Sequence, residues 1–187
     1  RAYAFAELPT TIQNERGVYL GTKIYPSPKL TIAAYMDQYW FPWNRYNVSY
    51  PSQGIEYFVD AIYSPSRSLR FNVRYKSDNK EVNASEFPVG QQIEYLIPTQ
   101  RQNLRFQYDQ KFHRTLSTRT RVELSQFNKG EETRSRGILL YQDLSWQIRR
   151  GVKITGRYAI FDIQDYNARI YAYENEILGY FSIPPYS

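Results

Sequence analysis

The 187-residue chain has no cysteine, one histidine and one methionine. No disulfide framework can staple it, no thiolate can serve as nucleophile or zinc ligand, and no acylated cysteine can anchor it; the absence fits any compartment. Long apolar runs are missing too. Nothing approaches the roughly 20 residues that a membrane helix needs, and mean hydropathy is −0.65. That excludes spanning by helices and leaves spanning by strands open, because a strand's membrane signal is weak per segment. A phosphate-cradling loop is absent as well, since Gly17 and Gly21 fall in a strand pattern with no helix behind them. No secretory signal opens the chain: Arg1-Ala2-Tyr3-Ala4-Phe5 already has strand character, so the sequence reads as a fragment of a longer protein.

What is plentiful is aromatic. Tyr 19, Phe 10 and Trp 3 make up 17% of the chain, although hydrophobic residues together reach only 42%. Rings without a large aliphatic supply suit boundary surfaces better than a deep interior. A β-sandwich would fill the space between its sheets with Val, Ile and Leu, whereas here one-sided strands alternate with Arg, Lys, Asp and Gln. The net charge of +6 fits attraction to nucleic acid, or to anionic lipid and lipopolysaccharide head groups. The cations are dispersed through the strands, however, and nucleic-acid binding wants them clustered beside exposed rings. No nucleic-acid partner is expected for this part.

The clearest alternation is Leu69-Arg70-Phe71-Asn72-Val73-Arg74-Tyr75-Lys76. A period of two places Leu69, Phe71, Val73 and Tyr75 on one face of a strand and three cations on the other. The charged face must be wet or ion-paired. Turn signals divide the chain into about ten such runs, at 2–8, 17–25, 30–40, 54–63, 68–76, 103–112, 118–127, 137–148, 152–161 and 168–178. Most have the 9–11 residues of a tilted membrane strand. Short links around Pro26-Ser27-Pro28, 64–67, 113–117 and 149–151 alternate with long ones over 8–16, 41–53, 77–102 and 128–136. A meander then carries all tight turns at one end and all long loops at the other, as outer-membrane barrels do. The expected fold is an all-β antiparallel transmembrane β-barrel, a meander of about ten strands over 1–187 that belongs to a larger barrel.

Symmetric pairing about the turns predicts that Asp60 faces Asn72, diagonal to Arg70 and Arg74; that Asp109 faces Arg121 and Gln107 faces Glu123; and that Asp143 faces Arg157. On the other face it sets Trp146 beside Ile154, Leu140 beside Ile160 and Leu20 beside Ala34. Asp60, Arg70, Arg74, Asp109, Arg121, Asp143 and Arg157 are thus candidate lumen ion pairs, with Glu56, Arg105, Arg119, Glu123 and Lys153 beside them. They line either a selective pore or plug-docking surface, or simply a solvated wall. Tyr25, Tyr63, Phe112 and Trp146 near the short turns, with Trp40 and Trp43 near a long loop, form a candidate aromatic girdle.

Catalytic chemistry is not expected. His113 sits in a tight turn with Ser117, and no nucleophile and base occur together in a pocket-forming pattern. Glu131 and Glu132 read as a solvated hairpin tip without calcium-ligand spacing. No cofactor or metal is implied. The Asn47-Val48-Ser49 and Asn83-Ala84-Ser85 triplets carry little weight in a bacterial barrel.

One segment resembles a known family. Gly156-Arg157-Tyr158-Ala159-Ile160-Phe161-Asp162, then Asp165-Tyr166-Asn167-Ala168-Arg169-Ile170-Tyr171-Ala172-Tyr173-Glu174-Asn175-Glu176, running on through Ile177-Leu178-Gly179-Tyr180-Phe181-Ser182-Ile183-Pro184, is similar to the C-terminal barrel region of large Bacteroidota helix-hairpin-helix domain-containing proteins. The resemblance covers about a fifth of the chain. It implies an outer-membrane protein whose helix-hairpin-helix part lies elsewhere, and further strands past Pro184-Pro185-Tyr186-Ser187. The functional expectation is a non-enzymatic outer-membrane scaffold, pore or subunit of a cell-envelope complex, with outer-membrane lipid, lipopolysaccharide and other envelope proteins as partners. The alternative is a soluble or cell-surface β-sheet module that binds carbohydrate or nucleic acid through Trp40, Trp43 and Tyr46.

Overall fold

In the computed structural model, residues 15–44, 48–84, 95–130, 133–172 and 185–186 are described. The alternating runs become eight antiparallel strands: β1 (Arg16–Ser27), β2 (Leu30–Phe41), β3 (Ser52–Ser66), β4 (Leu69–Asn83), β5 (Leu96–Lys111), β6 (Leu116–Lys129), β7 (Thr133–Arg149) and β8 (Val152–Ile163). They form one sheet in chain order, with β1 and β8 as its edges. The fold is therefore an all-β meander, as the alternation requires.

Two boundaries differ from the sequence expectation. The loop expected over 77–102 is largely strand, and the loop expected over 128–136 shrinks to a tip between Lys129 and Thr133. Here both faces turn polar, with Ser77, Asn79, Gln100 and Gln102 on one side and Asp78, Lys80, Thr99 and Arg101 on the other. The hydrophobic period vanishes while the backbone ladder continues, and only the ladder makes a strand. The tenth expected strand, 168–178, does not join the sheet within the described residues. A 3-10 turn (Tyr166–Ala168) leads into β9 (Ile170–Tyr171), which pairs with β10 (Pro185–Tyr186). The first expected strand, 2–8, lies outside the described residues.

Register follows the expectation in parity and misses it by two residues at three hairpins. Asp60 faces Arg74 rather than Asn72, Asp109 faces Arg119 rather than Arg121, Glu123 faces Arg105 rather than Gln107, and Leu20 faces Met36 rather than Ala34. In the first and third hairpin strand ends the ladder breaks between Ile24 and Ser27 and between Tyr63 and Ser66, where Pro26 and Pro65 have no N–H to donate. In the β5–β6 turn, the Phe112 and His113 N–H groups both donate to the Leu116 carbonyl, which closes the hairpin one position earlier. An even shift keeps every side chain on its face. The β7–β8 pairs Asp143–Arg157, Trp146–Ile154 and Leu140–Ile160 occur as expected.

The register generates an uninterrupted apolar row across all eight strands: Ile24, Ile32, Ala61, Val73, Phe106, Val122, Leu140 and Ile160. Within the described residues, no second layer covers it. Phe71, Val73, Leu140 and Trp146 are 39%, 40%, 41% and 51% exposed. Burial is found instead on the charged side, at Asp37, Glu56, Asp60, Asn72, Arg121, Glu123 and Asp143. Lys29, from the β1–β2 turn, and Lys153, from β8, line the same cavity, so the sheet curls around its charged face. The apolar core is small: Leu139 and Tyr141 of β7 meet Ile170 and Ala172, with Ala159, Ile163 and Tyr186 against them.

Candidate functional site

The inner, charged face is where the fold concentrates chemistry. Its side chains come from alternate positions of β3 to β8, and at the short-turn end the register sets unlike charges opposite one another. One rung reads Arg70, Asp109, Arg119, Asp143, Arg157 across β4 to β8, alternating in sign at every step. Its ion pairs are short: Arg119 Nε to Asp109 Oδ1 at 2.6 Å and Arg157 Nε to Asp143 Oδ1 at 2.6 Å, the latter with a second bond from Arg157 Nη2 to Oδ2 at 2.9 Å. Two pleats along, the rung Asp60, Arg74, Arg105, Glu123 closes at both ends. Arg74 donates to Asp60 at 2.9 Å and Arg105 donates to Glu123 at 2.9 Å.

Between those rungs, Asn72 donates Nδ2 to Asp60 at 2.9 Å, and Arg121 donates to Glu123 two residues along its own strand. Arg121 also donates to the Tyr171 carbonyl at 3.2 Å. The Arg157 guanidinium lies 4.0 Å from the Tyr141 ring centroid. A charge taken from water costs several kcal/mol unless paired and hydrogen-bonded, and each of these buried carboxylates meets that condition. Cross-strand pairs of unlike charge also select register, since like charges directly opposite are destabilising.

All seven expected ion-pair residues lie on this face. Asp60 with Arg74, and Asp143 with Arg157, are brought together directly. Asp109 takes Arg119 as partner, Arg121 goes to Glu123, and Arg70 stands opposite Asp109 in the ladder. The expected aromatic set divides. Tyr63 heads an outward ring row with Phe71 and Tyr108, at centroid separations of 6.4 and 5.2 Å. Phe112, Trp43 and Trp146 are exposed, and Trp40 is half-buried. Tyr25 follows outward Ile24, and its ring lies 5.4 Å from the Lys23 ammonium. Tyr46 and the pair Glu131 and Glu132 lie outside the described residues. His113 makes a local turn contact, with Nδ1 3.2 Å from Thr115 Oγ1.

Several inner-face residues escaped the sequence reading. Asp37 and Asp78 share one rung with the expected Glu56, which Lys76 approaches at 2.9 Å and to which the Tyr35 hydroxyl donates at 2.5 Å. Arg101 is next on that rung. On β2 the inner positions nearest the long loops are Tyr35, Asp37, Tyr39 and Phe41, and Tyr35 stacks on Phe58 at 4.8 Å. Rings fill the inner side there, so a polar-in rule hides the buried Asp37. The return of the C-terminal segment was equally hidden. Ala168, Ile170 and Ala172 are buried against the inner face, and a Cβ on Gly137 would stand 2.7 Å from the Ala168 carbonyl, so glycine at 137 permits the approach.

Among the described residues no group of three or more His, Cys, Asp or Glu is arranged to hold a metal ion. No protein-family model, curated protein or solved structure matches the chain.

Proposed function

We propose that the chain forms part of the wall of an outer-membrane β-barrel and acts, without catalysis, as a scaffold, pore or subunit of a cell-envelope complex. The observation that supports this reading is inverted burial: an eight-strand apolar row faces outward while paired charges are buried inside. In water such a contiguous apolar surface is a liability; in hydrocarbon it is the solvent-matched side. The dimensions agree. On the outward side of β7, Ile138, Leu140, Leu144, Trp146 and Ile148, with Gln142 among them, span about 33 Å along the strand and roughly 24 Å in height at the usual tilt, against a band about 25 Å tall.

Beyond this belt, toward the long loops, the outer side changes to Gln100, Gln102, Gln126, Asn128, Arg134 and Arg136, side chains suited to the sugars and phosphates of lipopolysaccharide. The edges β1 and β8 then need strand partners, supplied by further residues of the protein or by another chain, because unpaired backbone in lipid costs several kcal/mol per group. Refolding trials test the reading: the chain is expected to acquire strand structure and a heat-modifiable gel band in detergent micelles but not in plain buffer. A folded monomer in plain buffer would overturn it. Planar-bilayer conductance then separates a pore from a sealed scaffold.

A further inference from the structure

At the short-turn end, the inner face opens into a cavity of about 780 Å³ lined by strands β3 to β8 and by the β1–β2 and β3–β4 turns. Its basic groups are Lys29 from the β1–β2 turn, Arg67 from the β3–β4 turn, Arg70 of β4, Lys111 of β5, Arg119 of β6 and Lys153 of β8. Its two carboxylates are already neutralised, Asp109 by Arg119 and Asp143 by Arg157, each at 2.6 Å. Among the described residues, Lys29, Arg67, Arg70, Lys111 and Lys153 make no ion pair. Hydroxyls are interleaved with them, from Ser64, Ser66, Ser68, Ser117 and Ser145.

Five uncompensated cations gathered from distant parts of the chain repel one another, and clefts lined by one sign of charge concentrate the opposite ion. Arginine and lysine heads next to serine hydroxyls are the donor set for phosphate oxygens, which accept several charge-assisted bonds at once. The volume exceeds what one small ion fills and lies in the range of small-molecule sites. We propose that this vestibule binds a multivalent, phosphate-type anion carried by a soluble molecule, and that the ion pairs Asp109–Arg119 and Asp143–Arg157 hold the carboxylates away from it.

This goes beyond the barrel reading and does not depend on it, since it requires only the curl of the sheet. The test is calorimetric titration of the full chain, in whichever medium it folds, with inorganic tripolyphosphate. Saturable binding is expected, weakening steeply with added salt. In the double variant Lys111→Gln/Lys153→Gln affinity should fall about tenfold or more, while Lys111→Arg/Lys153→Arg stays within about threefold and Arg16→Gln, at the opposite end on β1, leaves it unchanged. Micelles doped with phosphatidylglycerol separate the sources: failure of that lipid to compete supports a soluble anion, and full displacement of tripolyphosphate by it overturns that assignment. Absence of saturable binding by the wild type, equal binding by the glutamine double variant, or equal loss in the distal variant overturns the site. None of these outcomes bears on whether the chain enters a membrane.

Discussion

At the scale of single residues, the inner face depends on mutual neutralisation. Asp143 and Arg157 make two bonds in a setting where their side chains are 5% and 16% exposed. Removing one partner leaves the other buried and uncompensated, so Asp143→Leu alone is expected to cost about 3 kcal/mol. Asp143→Leu with Arg157→Met removes both charges and should recover much of that loss. Denaturant unfolding of the three proteins checks the order; a double variant less stable than either single would contradict it. Glycine 137 is a second fixed point, because an added methyl meets the Ala168 carbonyl rather than a movable side chain. Gly137→Ala should destabilise by about 1–3 kcal/mol and expose the C-terminal segment to limited proteolysis, whereas Gly156→Ala, where a Cβ meets nothing, should be near neutral.

At the scale of strands, the apolar row carries the sharpest expectation. Val73 and Val122 are neighbours of Phe106 in that row, and Val73 is 40% exposed. On a water-facing surface, Val73→Arg changes stability by no more than about 0.5 kcal/mol. Facing hydrocarbon near mid-depth, the same change costs about 2–4 kcal/mol. Reversible unfolding in phospholipid vesicles distinguishes the two values, with Arg74→Val, on the other face, as the comparison that breaks an ion pair instead. Alternation made most strands legible in the sequence, because a period of two needs no tertiary information. Leu69 to Lys76 states its faces outright, and Asp143 with Arg157 could be paired from a turn centre alone. Register was less legible. The prolines at 26 and 65 mark the bulges only once it is known that the chain continues as strand on both sides. The upper halves of β4 and β5 were illegible because polar residues on both faces erase the period while the ladder persists. The return of Ile170 onto Leu139 rests on packing between segments with no shared periodicity, so nothing local announces it.

At the scale of the molecule, the arrangement separates two kinds of surface. The apolar row lies on the convex side, the ion pairs on the concave side, and the tight turns at the end where the unpaired cations converge. The seam between β7 and the C-terminal segment is the only apolar cluster of buried residues among those described, too small to hold eight strands together as a soluble globule would. What surrounds the convex side therefore decides the reading. The absence of native cysteine permits single-cysteine spin labelling without background, and a scan through residues 69 to 76 in lipid vesicles reports the surroundings of each position. Collision with oxygen, which partitions into hydrocarbon, is expected to peak at 69, 71, 73 and 75, and collision with a water-soluble nickel chelate at 70, 72, 74 and 76. Equal chelate access at both sets would contradict a membrane-facing wall.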